Sequence, residues 1–383
     1  MPRPERPAPL IMVATPGDAG SPPFGSYAAV ARHGRRLLAA ELSHRLARLG
    51  AAVAPLAWHE PEGARPLRWG QWFADGLRAA RDEAAGSVDA VGYAGAGALA
   101  LLSDDGLETL LSPLHGEAVA NNRFSADAFV VAGGQRELER ALTHLEALHN
   151  DNGAPRSLEG AGFAVRDLGG TPWARFDVDT PLDLALLRLA TQLDGLRQPE
   201  PSVAGFLEMA RLPGATAGLE VPHLDRIGEV MRDPSAELVV AGRLPAATWA
   251  VLETQTACRV RCFVEERGMR STRGERPRSL LASFASRTSA AELVAELAGL
   301  GDAVVLDTRV LMASLAASSE ESSWPPAEER FASDFGDVAR IETAWLRELT
   351  EAAAGASIPF LFGGHALVSD GLRLMVAAAW QGR

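Results

Sequence analysis

Short apolar runs separated by stretches of helical period constrain this chain more than any other feature of it. Leu10–Ala14, Ala51–Ala57, Asp89–Gly95, Glu117–Ala120 and Ala128–Ala132 have the length and composition of strands. Between them lie helical segments. One starts at about Tyr27, with Leu38, Leu42, Leu46 and Leu49 at core spacing and Gly50 as its stop. Trp69–Ala85, a helix capped by Ser103, and Gln135–His149 follow. Strands alternating with helices of this size predict an open, mainly parallel, Rossmann-like sheet with helices on both faces. The pattern begins again beyond Asp194–Ser202, where Gly195, Pro199 and Pro201 read as a linker. Two short helices, at about Val203–Leu212 and Leu224–Arg232, lead into strands Glu237–Ala241, Cys258–Val264, Ala303–Leu306 and Ile358–Phe362. Helices at Ala246–Thr256, Ser289–Leu300, Ile341–Ala354 and Leu367–Ala379 separate or follow them. A chain of 383 residues is long enough for two cores. The expected division is 1–197 and 198–383, both α/β and the second three-layered. Residues 313–326, with their run of Ser and Glu, read as an exposed excursion.

Charge narrows the partners. A formal net charge of −12 argues against nucleic acid or an anionic membrane as the main partner. All 37 basic residues are arginine. With no lysine there is no Walker lysine, no Schiff base and no lysine general base. A phosphate must then be held by arginine, by backbone N–H groups or by a metal. Cys258 and Cys262, four residues apart in an expected strand, would stand roughly 13 Å apart, too far to bridge. Unpaired thiols, no signal peptide and no apolar run of membrane-spanning length point to the cytoplasm. The sequence sets no oligomeric state.

The segment from Ala174 to Leu184 carries the densest functional signal. Phe176 and Val178 alternate with Asp177 and Asp179, which predicts a short strand with one buried face. Thr180, Pro181 and Asp183 then form a helix start with a capping box. Two acids at a sheet rim, beside the positive end of a helix, suit a hard cation and its phosphate ligand. The plain alternative is a capped helix after an ordinary strand.

With Gly97-Ala98-Leu99-Ala100-Leu101-Leu102-Ser103, this Asp177-Val178-Asp179-Thr180-Pro181-Leu182-Asp183-Leu184 segment resembles motifs of the nucleotidyltransferases of the glycosyltransferase-A-like fold. The molybdenum-cofactor and phospholactate guanylyltransferases are the families most similar in style. The resemblance covers the first half of the chain. It implies a nucleotide or phosphorylated metabolite as ligand, magnesium as cofactor, Asp179 as a metal ligand and Asp177 beside it. The sequence departs from the pattern in three places. The first metal-binding Asp of these families falls on Ala98 and their Pro on Ala100. Their Gly-Gly loop with its basic residues is replaced by Thr15–Gly25, and their nucleotide-holding lysine is absent. Loss of a carboxylate and of a cation weakens charge stabilisation at the α-phosphate. Arg32, Arg35 and Arg36 lie on a helix whose opposite face is core, where a solvated face is the expectation. A catalytically inactive binding or assembly module is therefore the rival expectation.

Asn121, Asn122, Ser125 and Asp127, with Gly17 and Gly20 of the first loop, are the candidates for ligand contact. An Asn-Asn turn with Asp127 as a local cap is the alternative. In the second half, the residues leaving the expected strands are Arg243, Arg267, Arg270, Asp307, Arg309 and His365. Five arginines fall within twelve positions, 267–278, and Gly363-Gly364-His365 precedes a helix. These predict an anion site, and a third functional reading in which an enzyme acts on an anionic small molecule there. Surface pairing of the arginines with Glu265 and Glu266 is the competing account.

Overall fold

A computed structural model describes residues 8–17, 24–58, 68–83, 88–213, 218–266, 278–316 and 323–381. The chain gathers into two compact units, each described by itself. The first holds Met1–Ser21, Arg32–Asp179 and Arg197–Phe206; the second holds Pro22–Ala31, Thr180–Leu196 and Leu207–Arg383. Among the described residues no helix is long and apolar enough to cross a membrane. Cys258 and Cys262 are both free thiols.

The sheet of the first unit has six strands: β1 (Leu10–Pro16), β2 (Ala52–Trp58), β3 (Ala90–Ala94), β4 (Glu117–Ala120), β5 (Ala128–Ala132) and β6 (Ala164–Asp167). Their order is β2-β1-β3-β5-β4-β6. β5 runs antiparallel to β3 and β4, and the other pairs are parallel. The reason lies in chain length. Residues 121–127 join β4 to β5, and a parallel return needs a crossover of about a dozen residues or more. Helices α1 (Tyr27–Arg48), α2 (Trp69–Glu83), α3 (Asp104–Leu110), α4 (Gln135–Glu146) and α5 (Ala154–Gly160) lie between the strands. Ile11, Met12 and Val13 of β1 are buried, and Trp69, Phe73, Tyr93 and Phe129 form an aromatic cluster with ring centroids 5.1–6.3 Å apart. Each such ring contributes about 2–3 kcal/mol of burial, and the edge-to-face pairs add to it.

The stretch expected as a strand at Phe176–Asp179 is not one: it lies outside every ladder. The alternation there is correct, with Phe176 and Val178 buried and Asp179 exposed. Ladder pairing is what is missing: Val178 N–H bonds the Gly97 carbonyl in the loop after β3 instead of a neighbouring strand.

Helix α6 (Pro181–Thr191) belongs to the second unit. Its start is the capping box read from the sequence: Asp183 N–H donates to Thr180 Oγ1 at 3.2 Å, and Thr180 N–H donates to Asp183 Oδ2 at 2.8 Å. Leu182, Leu184, Leu186, Leu187 and Leu189 are all buried, as for a helix apolar all round. After α7 (Pro201–Met209) and α8 (Leu224–Arg232), the second sheet comprises β7 (Glu237–Gly242), β8 (Arg259–Val264), β9 (Ala303–Asp307) and β10 (Phe360–Gly363). The order is β10-β9-β7-β8 and every pair is parallel. Helices α9 (Ala246–Gln255), α10 (Leu280–Ala285), α11 (Ala290–Ala298), α12 (Thr308–Leu315), α13 (Ala327–Asp334), α14 (Ala344–Ala354) and α15 (Leu372–Trp380) complete it. The protein is thus α/β with one mixed and one parallel sheet. Of the excursion expected at 313–326, residues 313–315 continue α12, and 317–322 lie outside the described residues.

Candidate functional site

In the first sheet β1 leads to β2 on one side, while β3 lies on the other, so strand order reverses between β1 and β3. The crevice outside the carboxyl ends at such a reversal is where open α/β sheets bind ligands. Three segments reach it. Thr15, Pro16 and Gly17 leave β1, Gly95–Leu99 leave β3, and Asp177–Asp179 arrive from the far end of the unit. Val178 N–H donates to the Gly97 carbonyl at 3.2 Å. A Cβ at Gly97 would fall 2.0 Å from the Val178 carbonyl oxygen, so only glycine permits this approach. Leu99 (φ +64°) and Trp173 (φ +63°), both in the left-handed region, flank the contact. Strain of this kind costs about 1–3 kcal/mol and gathers at functional sites. Ser103 then caps α3, its Oγ accepting from Gly106 N–H at 3.2 Å.

The two acids differ in setting. Asp177 Oδ1 accepts the Val178 N–H at 3.0 Å, whereas the Asp179 side chain is 65% exposed. Arg35 Nη2 stands 3.7 Å from Asp179 Oδ1, with its own side chain 23% exposed. The expectation of a purely solvated arginine face on α1 is corrected at this residue. Arg35 lies three and seven residues before Leu38 and Leu42, on their buried stripe, and that spacing was the signal for it.

The polar segment between β4 and β5 is largely self-satisfied. Asn121 Oδ1 accepts from the N–H groups of Asp127 and Ala128 at 3.0 and 3.1 Å, and its Nδ2 donates to Asp127 Oδ2 and the Ala174 carbonyl, both at 3.2 Å. Asn122 Oδ1 accepts from Phe124 N–H, and Ser125 Oγ donates to Asn152 Oδ1. Asn121 is therefore a latch that closes the 121–127 turn. Asp127 is the group with chemical character. Burial pushes its carboxyl up to about 8, the charges of Asp151 and Asp179 push the same way, and the Asn121 bond opposes them. Asp151, on the turn before α5, completes an electrostatically linked acidic trio that no sequence motif announces. Gly17 follows the end of β1, and Gly20 lies outside the described residues.

In the second unit, Arg243, Asp307, Arg309 and His365 are brought to one sheet edge, while Arg267 and Arg270 lie outside the described residues. Asp307 is buried and takes Arg243 Nε on Oδ2 at 2.6 Å and Nη2 on Oδ1 at 3.1 Å. Burial alone would raise the Asp307 carboxyl; the Arg243 charge and fork, then the His365 and Arg309 charges, bring it below its usual range. Arg309 binds buried Asp334 with both terminal nitrogens, at 2.5 and 2.6 Å. Asp334 was not foreseen: it ends α13, in a segment with no motif. Glu265 receives Ser279 Oγ and Leu281 N–H at 2.8 and 3.3 Å.

Strand order and the residues at the strand ends together define an α/β protein with two sheets, each presenting polar groups at a strand-order reversal. No model of a known protein family and no curated protein matches the sequence.

Magnesium, the cofactor implied by the resemblance, is tested by the donor set. Among the described residues no three or more His, Cys, Asp or Glu side chains are grouped to hold a metal. Magnesium bound together with a nucleotide takes only one or two carboxylates, the rest of its shell being phosphate and water. Asp179 and Asp177 fit that role, and not that of a resident metal cage.

Proposed function

We propose that the first unit binds a nucleotide or a phosphorylated metabolite over the β1–β3 crevice, with nucleotidyltransferase-like architecture. The observation that carries this reading is the Gly97–Val178 contact. The two segments on which the resemblance rests, some eighty residues apart, pack backbone to backbone at the strand-order reversal. Arg35 serves as the cation for phosphate that no lysine supplies, and Asp179 and Asp177 hold the magnesium that travels with the ligand. Held by those two carboxylates, magnesium would supply neutralisation of phosphate charge in a pyrophosphate-releasing transfer. In the catalytic form of the reading the reaction is magnesium-dependent nucleotidyl transfer. A buried alanine at 98, where the resemblance calls for a carboxylate, favours the second form, in which binding is kept and transfer is lost.

Calorimetric titration with GTP and with ATP, with magnesium and with EDTA, tests the proposal. Binding that needs magnesium and disappears in Asp179→Ala and Arg35→Gln is expected. Binding indifferent to EDTA and to both substitutions would sink it. Magnesium-dependent pyrophosphate release with phosphorylated acceptors separates transfer from binding alone.

A further inference from the structure

The second sheet has its own strand-order reversal, and charge rather than core fills it. β7 leads to β8 on one side and β9 leads to β10 on the other, so the order turns between β7 and β9. Their carboxyl ends carry Gly242-Arg243 and Asp307-Thr308-Arg309. Two ion pairs, Arg243–Asp307 and Arg309–Asp334, lie there with both carboxylates fully enclosed. Well-packed apolar residues in place of such pairs are often as stable or more so, so stability does not account for them.

The two arginines are not equivalent. Arg309 spends its terminal edge: Nη1 and Nη2 grip Asp334, and Nη1 also donates to Thr308 Oγ1 at 3.0 Å. Arg243 meets Asp307 through its side edge, Nε and Nη2. Among the described residues its Nη1 has no hydrogen-bond partner, and the side chain is 15% exposed. A guanidinium held by its side edge presents the terminal edge as a second two-donor fork, the shape that matches carboxylate or phosphate. The backbone is built for this posture. Gly242 has φ +141°, and a Cβ there would fall 2.3 Å from Asp307 Cβ. A second feature marks the same edge. The helical segment after β10, which His365 opens, is irregular at Ser369 (φ −101°, ψ −108°). Ser369 Oγ donates to the His365 carbonyl at 2.7 Å, and buried Thr248 donates to the Ser369 carbonyl at 3.1 Å. Wide turns inside helices gather at functional sites.

We propose that the second unit binds the carboxylate or phosphate group of a small metabolite between the carboxyl ends of β7 and β9, on the outward fork of Arg243 oriented by Asp307. The site is independent of the reading given for the first unit.

Calorimetric titration of the full chain with inorganic phosphate, and separately with malonate, tests it and tells the two oxyanion sources apart. Saturable binding of at least one probe is expected. Arg243→Lys keeps the charge but loses the fork, and lowers affinity by about tenfold or more. Arg261→Gln, which removes only an exposed ion pair with Glu237 on the same sheet, leaves affinity unchanged. Absence of saturable binding with both probes, affinity unaltered in Arg243→Lys, or affinity lost equally in Arg261→Gln overturns the proposal. Should Arg243→Lys fail to fold, hydrogen exchange on the unaltered chain decides. Slower exchange at Gly242–Leu244 and Gly364–Ala366 with the bound probe supports the site, and unchanged exchange with both probes rejects it.

Discussion

Asp127 offers the sharpest quantitative test of the first unit's crevice. Its carboxyl, ordinarily near 3.8, is pushed up to about 8 by burial and by the charges of Asp151 and Asp179. From about pH 4 to pH 8 the folded protein therefore holds a proton that the unfolded chain releases. The unfolded state binds fewer protons across that window, so stability falls as pH rises and levels off above pH 8. At about 1.4 kcal/mol per unit, a shift of this size sets a ceiling of ~6 kcal/mol. Asp127 is not wholly closed to solvent, and screening through that opening brings the working figure to about 2–3 kcal/mol. Asp127→Asn removes the titration and keeps an oxygen to accept from Asn121 Nδ2. Urea unfolding of both proteins at pH 5, 7 and 9 reads the difference, the common background cancelling between them. The variant should exceed the parent by about 1.5 kcal/mol at pH 5, where part of the loss has already accrued, and by about 2–3 kcal/mol at pH 9. Nucleotide affinity of the parent should also drop above pH 8, where ionised Asp127 adds negative charge beneath the phosphates, and the variant should escape that drop. A stability difference that does not change with pH would refute the reasoning.

Three further outcomes follow from the coordinates. Gly97→Ala forces a Cβ to within 2.0 Å of the Val178 carbonyl and must move the acidic segment; calorimetry should show nucleotide affinity down by about tenfold or more, with thermal unfolding shifted by about 2–4 kcal/mol. Gly242→Ala combines φ +141° with a 2.3 Å clash and should cost at least about 3 kcal/mol, whereas Gly116→Ala, at φ +77° with open space around it, should cost only about 1 kcal/mol, both read by urea unfolding. Asp334→Asn leaves the Arg309 guanidinium buried without its counter-charge, and thermal unfolding should register a loss of about 3–5 kcal/mol.

What the sequence discloses and what it hides divide along a physical line. Features fixed by near neighbours in the chain are legible. The Thr180–Asp183 capping box, the Ser103 cap, the Leu38–Leu46 stripe and the apolar strands all depend on residues within a turn or a pleat of one another. Features that depend on a distant partner are not. Phe176–Val178 has strand alternation, but Val178 N–H bonds the Gly97 carbonyl in the loop after β3, not a strand. Asn121 has the donor and acceptor of a ligand reader, and the fold directs both into the 121–127 turn and the Ala174 carbonyl. Arg309 has the charge of an anion-binding residue, and Asp334, on a different helix, claims it. The same line bears on the two arginines proposed to meet ligands, Arg243 and Arg35. Each is set by local geometry, a positive-φ glycine before one and a helical stripe beneath the other. Arg243 meets its carboxylate through its side edge, and Arg35 stands 3.7 Å from the exposed Asp179. In a chain without lysine, the two proposed anion sites therefore turn less on how many arginines reach a sheet edge than on how each is held by the carboxylate beside it.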